Sequence, residues 1–266
     1  MNVFLHELRS YRRSTLIWAL SLSALAVVFL AMYPSFTNDV AASKKILANL
    51  PPSVRNVLGI SLGNFFTIFG FYSYFVGFLV LAGAVQAMNI GLGVIAKEQS
   101  DKTADFLLTK PISRAAVITN KILAAIALLV ITNIVFIVVS VIGAKAVSTT
   151  DFALRPLVLI ALTVLLVQLF FMALGAVFAV ILPKVHSVIS VTLPTVFAFF
   201  IVGALGAILG NENVRYVTPF KFYDTNYIIS HNTLELKFLI VEAAFIAVAL
   251  AATYVIFIKK DIRAAS

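Results

Sequence analysis

The chain has 266 residues, 62% of them hydrophobic and 12% charged, with a mean hydropathy of +1.06. Soluble domains average about 45–50% apolar and about 25% charged residues, so this composition excludes a soluble domain and requires lipid to cover the apolar excess. Cysteine is absent, which excludes disulfide frameworks, thiolate metal sites and cysteine nucleophiles, and the formal charge of +9 has to be placed relative to a bilayer before it says anything about partners.

A membrane-crossing helix takes about 20 mainly apolar residues. Six stretches qualify: Leu16 to Met32, Phe65 to Ile95, Ile122 to Ile142, Leu157 to Leu182, Val188 to Leu209 and Phe238 to Ile258. The sequence thus predicts an all-α integral membrane protein with six transmembrane helices, one domain over residues 1–266. The first stretch is expected to stay as a span and not to be cleaved as a signal, because 15 residues including Glu7 precede it and Tyr33-Pro34 stands where a small-residue cleavage site would be. The second is longer than one crossing requires, which places Phe65 to Phe75 at the outer interface or on a tilt. Six spans put both termini on one side. Twelve of the 20 Lys and Arg residues fall on that side and eight on the other, so the positive-inside rule predicts cytoplasmic termini; a multi-pass location in a bacterial or archaeal plasma membrane is the accompanying expectation. No basic patch is interleaved with exposed aromatics in a folded domain, and nucleic acid is not an expected partner.

In chain order, Met1 to Arg13 sets Val3, Phe4, Leu8 and Tyr11 at near-helical spacing among Arg9, Arg12 and Arg13. Residues 1–15 read either as an amphipathic helix on the membrane lipid or as a plain positive-inside anchor. Small residues recur at a spacing of four: Gly83, Ala87 and Gly91, then Gly175 and Ala179, then Gly206 and Gly210. Such stripes suit intramolecular packing and a dimer seam equally. Pro183 and Pro194 restrict spans four and five at their cytoplasmic ends, as hinges or, for Pro183, as part of a tight turn.

The loop over 96–114 carries a short apolar run, Phe106-Leu107-Leu108, in a charged context. Pro111 stops it, and Ser113 suits the N-cap of the helix that becomes span three. A short cytoplasmic helix with Phe and Leu exposed fits the docking of a partner protein; packing on the ends of its own spans is the other reading.

Charge inside hydrocarbon is costly and usually functional, and the sequence offers one candidate, Glu242, four residues into span six and within reach of Lys237 or Lys221. The amides Gln86, Asn89, Asn133 and Gln168 are candidate pathway residues too, although interhelical hydrogen bonding explains them first. An ion-coupled carrier needs ionisable groups near mid-membrane, and none is found. The outer loop over 210–237 holds an aromatic segment around Pro219 and Phe220 that suits headgroup depth. No Gly-x-x-x-x-Gly-Lys-[Ser/Thr] loop, His-Glu-x-x-His pair or Gly-x-Ser-x-Gly elbow occurs, so the chain shows no motif for binding ATP, a metal or an acyl group. The three histidines, His6, His186 and His231, are scattered.

The run Glu98, Thr103, Leu107-Leu108, Pro111-Ile112-Ser113-Arg114 and Lys121 resembles the loop between spans two and three of ABC-2 type permeases, with Lys102 where many relatives have glycine. The resemblance implies the ABC-2 exporter transmembrane fold and a loop that acts as a coupling helix seated in a separate ATP-binding-cassette ATPase subunit. On this basis Glu98, Thr103, Phe106, Leu107, Leu108, Pro111, Ile112, Ser113 and Arg114 would transmit force. The chain itself would be no enzyme and hold no cofactor, with ATP and Mg in the partner subunit. A second permease copy, identical or not, would complete the pathway. The Pro219-Phe220 segment is similar to the one preceding the last span in that family, and export of an amphipathic or lipid-like substrate is the implied activity. A membrane scaffold, or a channel without ATP coupling, is the alternative.

Overall fold

The computed structural model describes residues 3–100 and 113–259. Helix α1 runs from Val3 to Ala31, followed by three short helices, α2 (Tyr33–Thr37), α3 (Val40–Ala48) and α4 (Pro52–Leu58). The long helices α5 (Ile68–Ser100), α6 (Arg114–Val147), α7 (Leu154–Ile181) and α8 (Val188–Leu209) come next. Two 3-10 turns, Glu212–Tyr216 and Pro219–Lys221, then lead through the short α9 (Thr225–His231) into α10 (Leu236–Lys259). Among the described residues there is no strand. Among the same residues six helices are long and apolar enough to cross a membrane, α1 with α2 counting as one. The all-helical fold and the six spans follow the sequence reading.

Local chemistry explains where the boundaries moved. Helix α6 begins at Arg114, well before the apolar stretch, because the Ser113 hydroxyl accepts from the Ala116 N–H at 3.2 Å, satisfying a first-turn donor as expected of an N-cap. Helix α5 begins at Ile68 rather than Phe65. The Thr67 hydroxyl accepts from Gly70 N–H at 3.1 Å, and the preceding residues turn back on themselves. Helix α1 continues through residue 15 without a break; Val3, Glu7, Thr15, Ala19, Leu22, Ala26 and Leu30 form its buried stripe, with Leu8 and Tyr11 packed alongside. Arg9, Arg12 and Arg13 stay exposed.

The segment between α1 and α5 is largely helical. The Asp39 carboxylate accepts from Ala42 N–H at 2.9 Å to start α3, and Pro52 opens α4, a position where its missing N–H costs nothing. Phe29 of α1 stacks on Phe75 of α5 with ring centroids 4.1 Å apart. Tyr33, Phe36, Phe65 and Phe71 extend this aromatic cluster across one end of the bundle. The first and last described residues, Val3 and Lys259, lie at the other end, called the termini end below.

Helices α5 and α7 form the centre, and α1 packs on α6 beside them. The crossing of α5 and α7 is set by glycine. A Cβ at Gly91 would lie 2.1 Å from the Met172 carbonyl oxygen, and one at Gly175 would lie 2.7 Å from that of Met88. The stripes therefore serve packing within one chain at these two positions. Helices α8 and α10 leave most of their surface outside, including Phe197, Ile201 and Leu205 on α8 and Ile240 and Val248 on α10, apolar faces that lipid or another apolar surface must cover.

Gly91→Ala and Gly175→Ala should each force the central helices apart, costing about 1–3 kcal/mol by overpacking. Thermal unfolding in detergent should show a lowered midpoint for both, while Gly77→Ala, where a Cβ meets nothing within 4 Å, should match the parent chain.

Candidate functional site

The sequence-derived residues fall at three levels of the bundle. At the centre, Gln86, Asn133 and Gln168 come together from α5, α6 and α7. Gln168 Nε2 donates to Gln86 Oε1 at 3.0 Å, Gln86 Nε2 donates to the Thr132 hydroxyl at 3.0 Å, and Asn133 Nδ2 donates to Gln168 Oε1 at 2.5 Å. Asn133 Nδ2 and the Thr132 hydroxyl also donate to carbonyls one turn back on α6, those of Leu129 and Leu128. All three amides are buried, Gln86 and Gln168 completely. In this conformation they bind helices to one another. Asn89 is not part of the network; its Oδ1 is buried with no hydrogen-bond partner among the described residues.

At the far end, Glu242 is 2% exposed and accepts from the Tyr223 hydroxyl. The sequence had pointed to Lys237 or Lys221 as partners, and both are engaged otherwise. Lys237 pairs with Glu235 at 3.2 Å, and Lys221 lies near Asp224, whose charge opposes the lowering of the lysine's pKa by burial. Tyr223 reaches Glu242 because Asp224 caps α9, accepting from Asn226 N–H at 2.9 Å, and holds the chain before it against α10. Burial and the Glu242 carboxylate push the Tyr223 hydroxyl well above its ordinary pKa.

Arg215 organises the same loop. It donates to the carbonyls of Lys221 at 3.0 Å and Phe222 at 3.1 Å and to the Glu235 carboxylate, and its guanidinium sits 4.2 Å over the Phe238 ring. Pro219 is buried, and Phe220 packs against Phe171 of α7 and Phe200 of α8. The neighbouring Thr218 hydroxyl donates to the Phe199 carbonyl at 2.9 Å. The expected Pro-Phe segment is thus a folded cap on α7, α8 and α10, while Tyr223, Arg215 and Glu235 were not singled out from sequence. Each is an ordinary loop residue until the fold brings it to a partner.

At the termini end, Ser113 and Arg114 begin α6, and Arg114 Nη1 donates to the Ile258 carbonyl of α10 at 3.3 Å. Thr103, Phe106, Leu107, Leu108, Pro111 and Ile112 lie outside the described residues, and of Glu98 only its place on α5 is described. Two turns along α6, Lys121 is fully buried. Its ammonium donates to Glu7 of α1 at 3.2 Å and to the Val94 carbonyl of α5 at 2.5 Å. The sequence reading counted Lys121 as a loop cation and Glu7 as part of the basic terminus. A single acid among three arginines, and a lysine just inside an apolar run, were the signals available. Among the described residues no three of His, Asp and Glu gather as a metal site would require.

Two measurements test these contacts. Gln168→Leu removes the residue common to both interhelical amide bonds and leaves Gln86 Oε1 and Asn133 buried without it; the thermal midpoint should fall, by about 1–2 kcal/mol of stability. For the cap, burial alone would raise the Glu235 pKa, but bonds from Arg215 and Lys237 outweigh it and hold the group below its ordinary 4.5. A lowered folded-state pKa contributes stability that is present above the unfolded value and lost as pH falls through the folded one. Protection factors of the amides over 212–235, corrected for the intrinsic pH dependence of exchange, should therefore fall on acidification below about pH 4.5, and Glu235→Gln should remove that dependence.

The described residues thus form a bundle with six candidate membrane spans and an aromatic loop folded over one end. No curated protein matches the chain. The profile of the family described as ABC-2 family transporter protein matches residues 1–262, nearly the whole length, and the chain belongs to that family.

Proposed function

We propose that this permease subunit carries an amphipathic or lipid-like substrate out of the cell, driven by ATP hydrolysis in a separate ATP-binding-cassette subunit. The family match over residues 1–262 carries the reading, since membership implies such an ATPase partner. The sequence itself lacks a phosphate loop, so ATP and Mg belong to the motor. The segment from Glu98 to Arg114 is its docking site. It connects α5 to α6 at the termini end; the excess of Lys and Arg there supports a cytoplasmic side, and our reading is of a bacterial or archaeal plasma membrane. The first turns of α1, with Arg9, Arg12 and Arg13 exposed, meet anionic headgroups there. A second permease copy faces this one, and the cap from Gly210 to Lys237 closes the outer end of the pathway between them.

Chain solubilised from its native membrane should elute with a protein bearing a phosphate loop and hydrolyse ATP with vanadate sensitivity. Leu107→Asp combined with Leu108→Asp should release that protein while the permease stays monodisperse. A parent chain that elutes alone and inactive, or a variant that retains its motor and its activity, overturns the reading.

A further inference from the structure

The ion pair between Glu7 and Lys121 has no part in the function as stated so far, and its position is unusual. Lys121 is fully buried and Glu7 is 3% exposed, so both charges have left water, which is costly unless each is well paired. The pair joins α1 to α6, and the second bond of Lys121, to Val94, adds α5. Seven residues earlier on α6, Arg114 holds the end of α10. The first two turns of α6, immediately after the 101–112 segment, are thus bonded by polar groups to α1, α5 and α10. Along the rest of α1 the contacts are largely apolar, made by Ala19, Leu22, Ala26 and Leu30, and Leu16, Ile17 and Leu20 face outward. A buried ion pair that slips leaves a charge unpaired, which is strongly destabilising, so the pair adds a fixed polar register to the apolar packing of α1 on α6.

We propose that Glu7 and Lys121 are positioning residues that make α1 part of the moving unit, so that displacement of the start of α6 by a docked motor is passed to α1 through this pair. The inference rests on the reading of the chain as a motor-driven permease. It assigns the N-terminal helix a mechanical role in addition to membrane anchoring.

The absence of cysteine allows spin labels at single introduced sites. Leu5→Cys on α1, Thr119→Cys on α6 and Glu212→Cys at the far end are all on exposed residues. In the intact complex, trapping with ATP and vanadate should change the 5–212 and 119–212 distances together. In Lys121→Met the 119–212 change should persist and the 5–212 change should be lost. Glu7→Leu with Lys121→Met, which replaces the pair by apolar groups, should restore it. Glu7→Gln keeps the side-chain size and should show a reduced form of the same split, and it serves where Lys121→Met does not fold. A 5–212 change that survives in Lys121→Met or in Glu7→Gln at parental size, or a double variant that stays uncoupled, overturns the proposal. If no ATPase accompanies the chain, the motor reading fails separately. The 5–119 distance in the permease alone then decides whether the pair holds α1: it should broaden in Lys121→Met and recover in the double variant, and an unchanged distribution overturns the positioning role.

Discussion

The close crossing of α5 and α7 is the constraint on which the rest of the bundle depends. At Gly91 and Gly175 the two backbones are near enough to exclude any side chain, and that approach brings Gln86 and Gln168 within hydrogen-bond distance. Helix α6 then joins through Asn133 and Thr132, and α1 joins through α6. A membrane offers helices no hydrophobic drive to associate with one another, so tight packing and polar contacts between them carry the burden. Here the two occur together: glycine supplies the proximity and the amides use it.

Charge is handled differently at the two ends. At the termini end a carboxylate and an ammonium are sealed together between three helices. At the far end, Arg215, Glu235 and Lys237 form a chain that is partly open to solvent, while Glu242 sits behind it against a tyrosine hydroxyl. The first arrangement ties long helices to each other. The second folds a loop of short turns down onto the ends of α7, α8 and α10.

The number and type of the spans were legible because about 20 apolar residues in succession have one common solution in lipid. The Ser113 cap was legible for a similarly local reason, a hydroxyl one residue before a helix. The candidate amides were found as residues, and their arrangement was not, since which three of four meet depends on the rotation of each helix: Asn89 has the same chemistry as Gln86 and lies one turn away, yet stands apart. Lys121 was misplaced because positive-inside counting treats a lysine near a helix end as exposed. Nothing local distinguishes a solvated lysine from one whose acid is more than a hundred residues earlier in the chain. The partners expected for Glu242 failed in the same way. Sequence proximity favoured a lysine on the same loop, and the fold delivered Tyr223.

Helix α6 has 34 residues, about 51 Å at 1.5 Å per residue, against a hydrocarbon thickness of about 30 Å. Its longest apolar stretch begins at Ile122, so the turns from Arg114 to Lys121, about 12 Å, are additional to the length a crossing needs. Helix α5 likewise runs on past its apolar residues through Lys97 to Ser100. The ends of α5 and α6 at Ser100 and Arg114 are therefore both longer than a hydrocarbon crossing requires, and they form a paired base of polypeptide beyond the apolar stretches of the two helices.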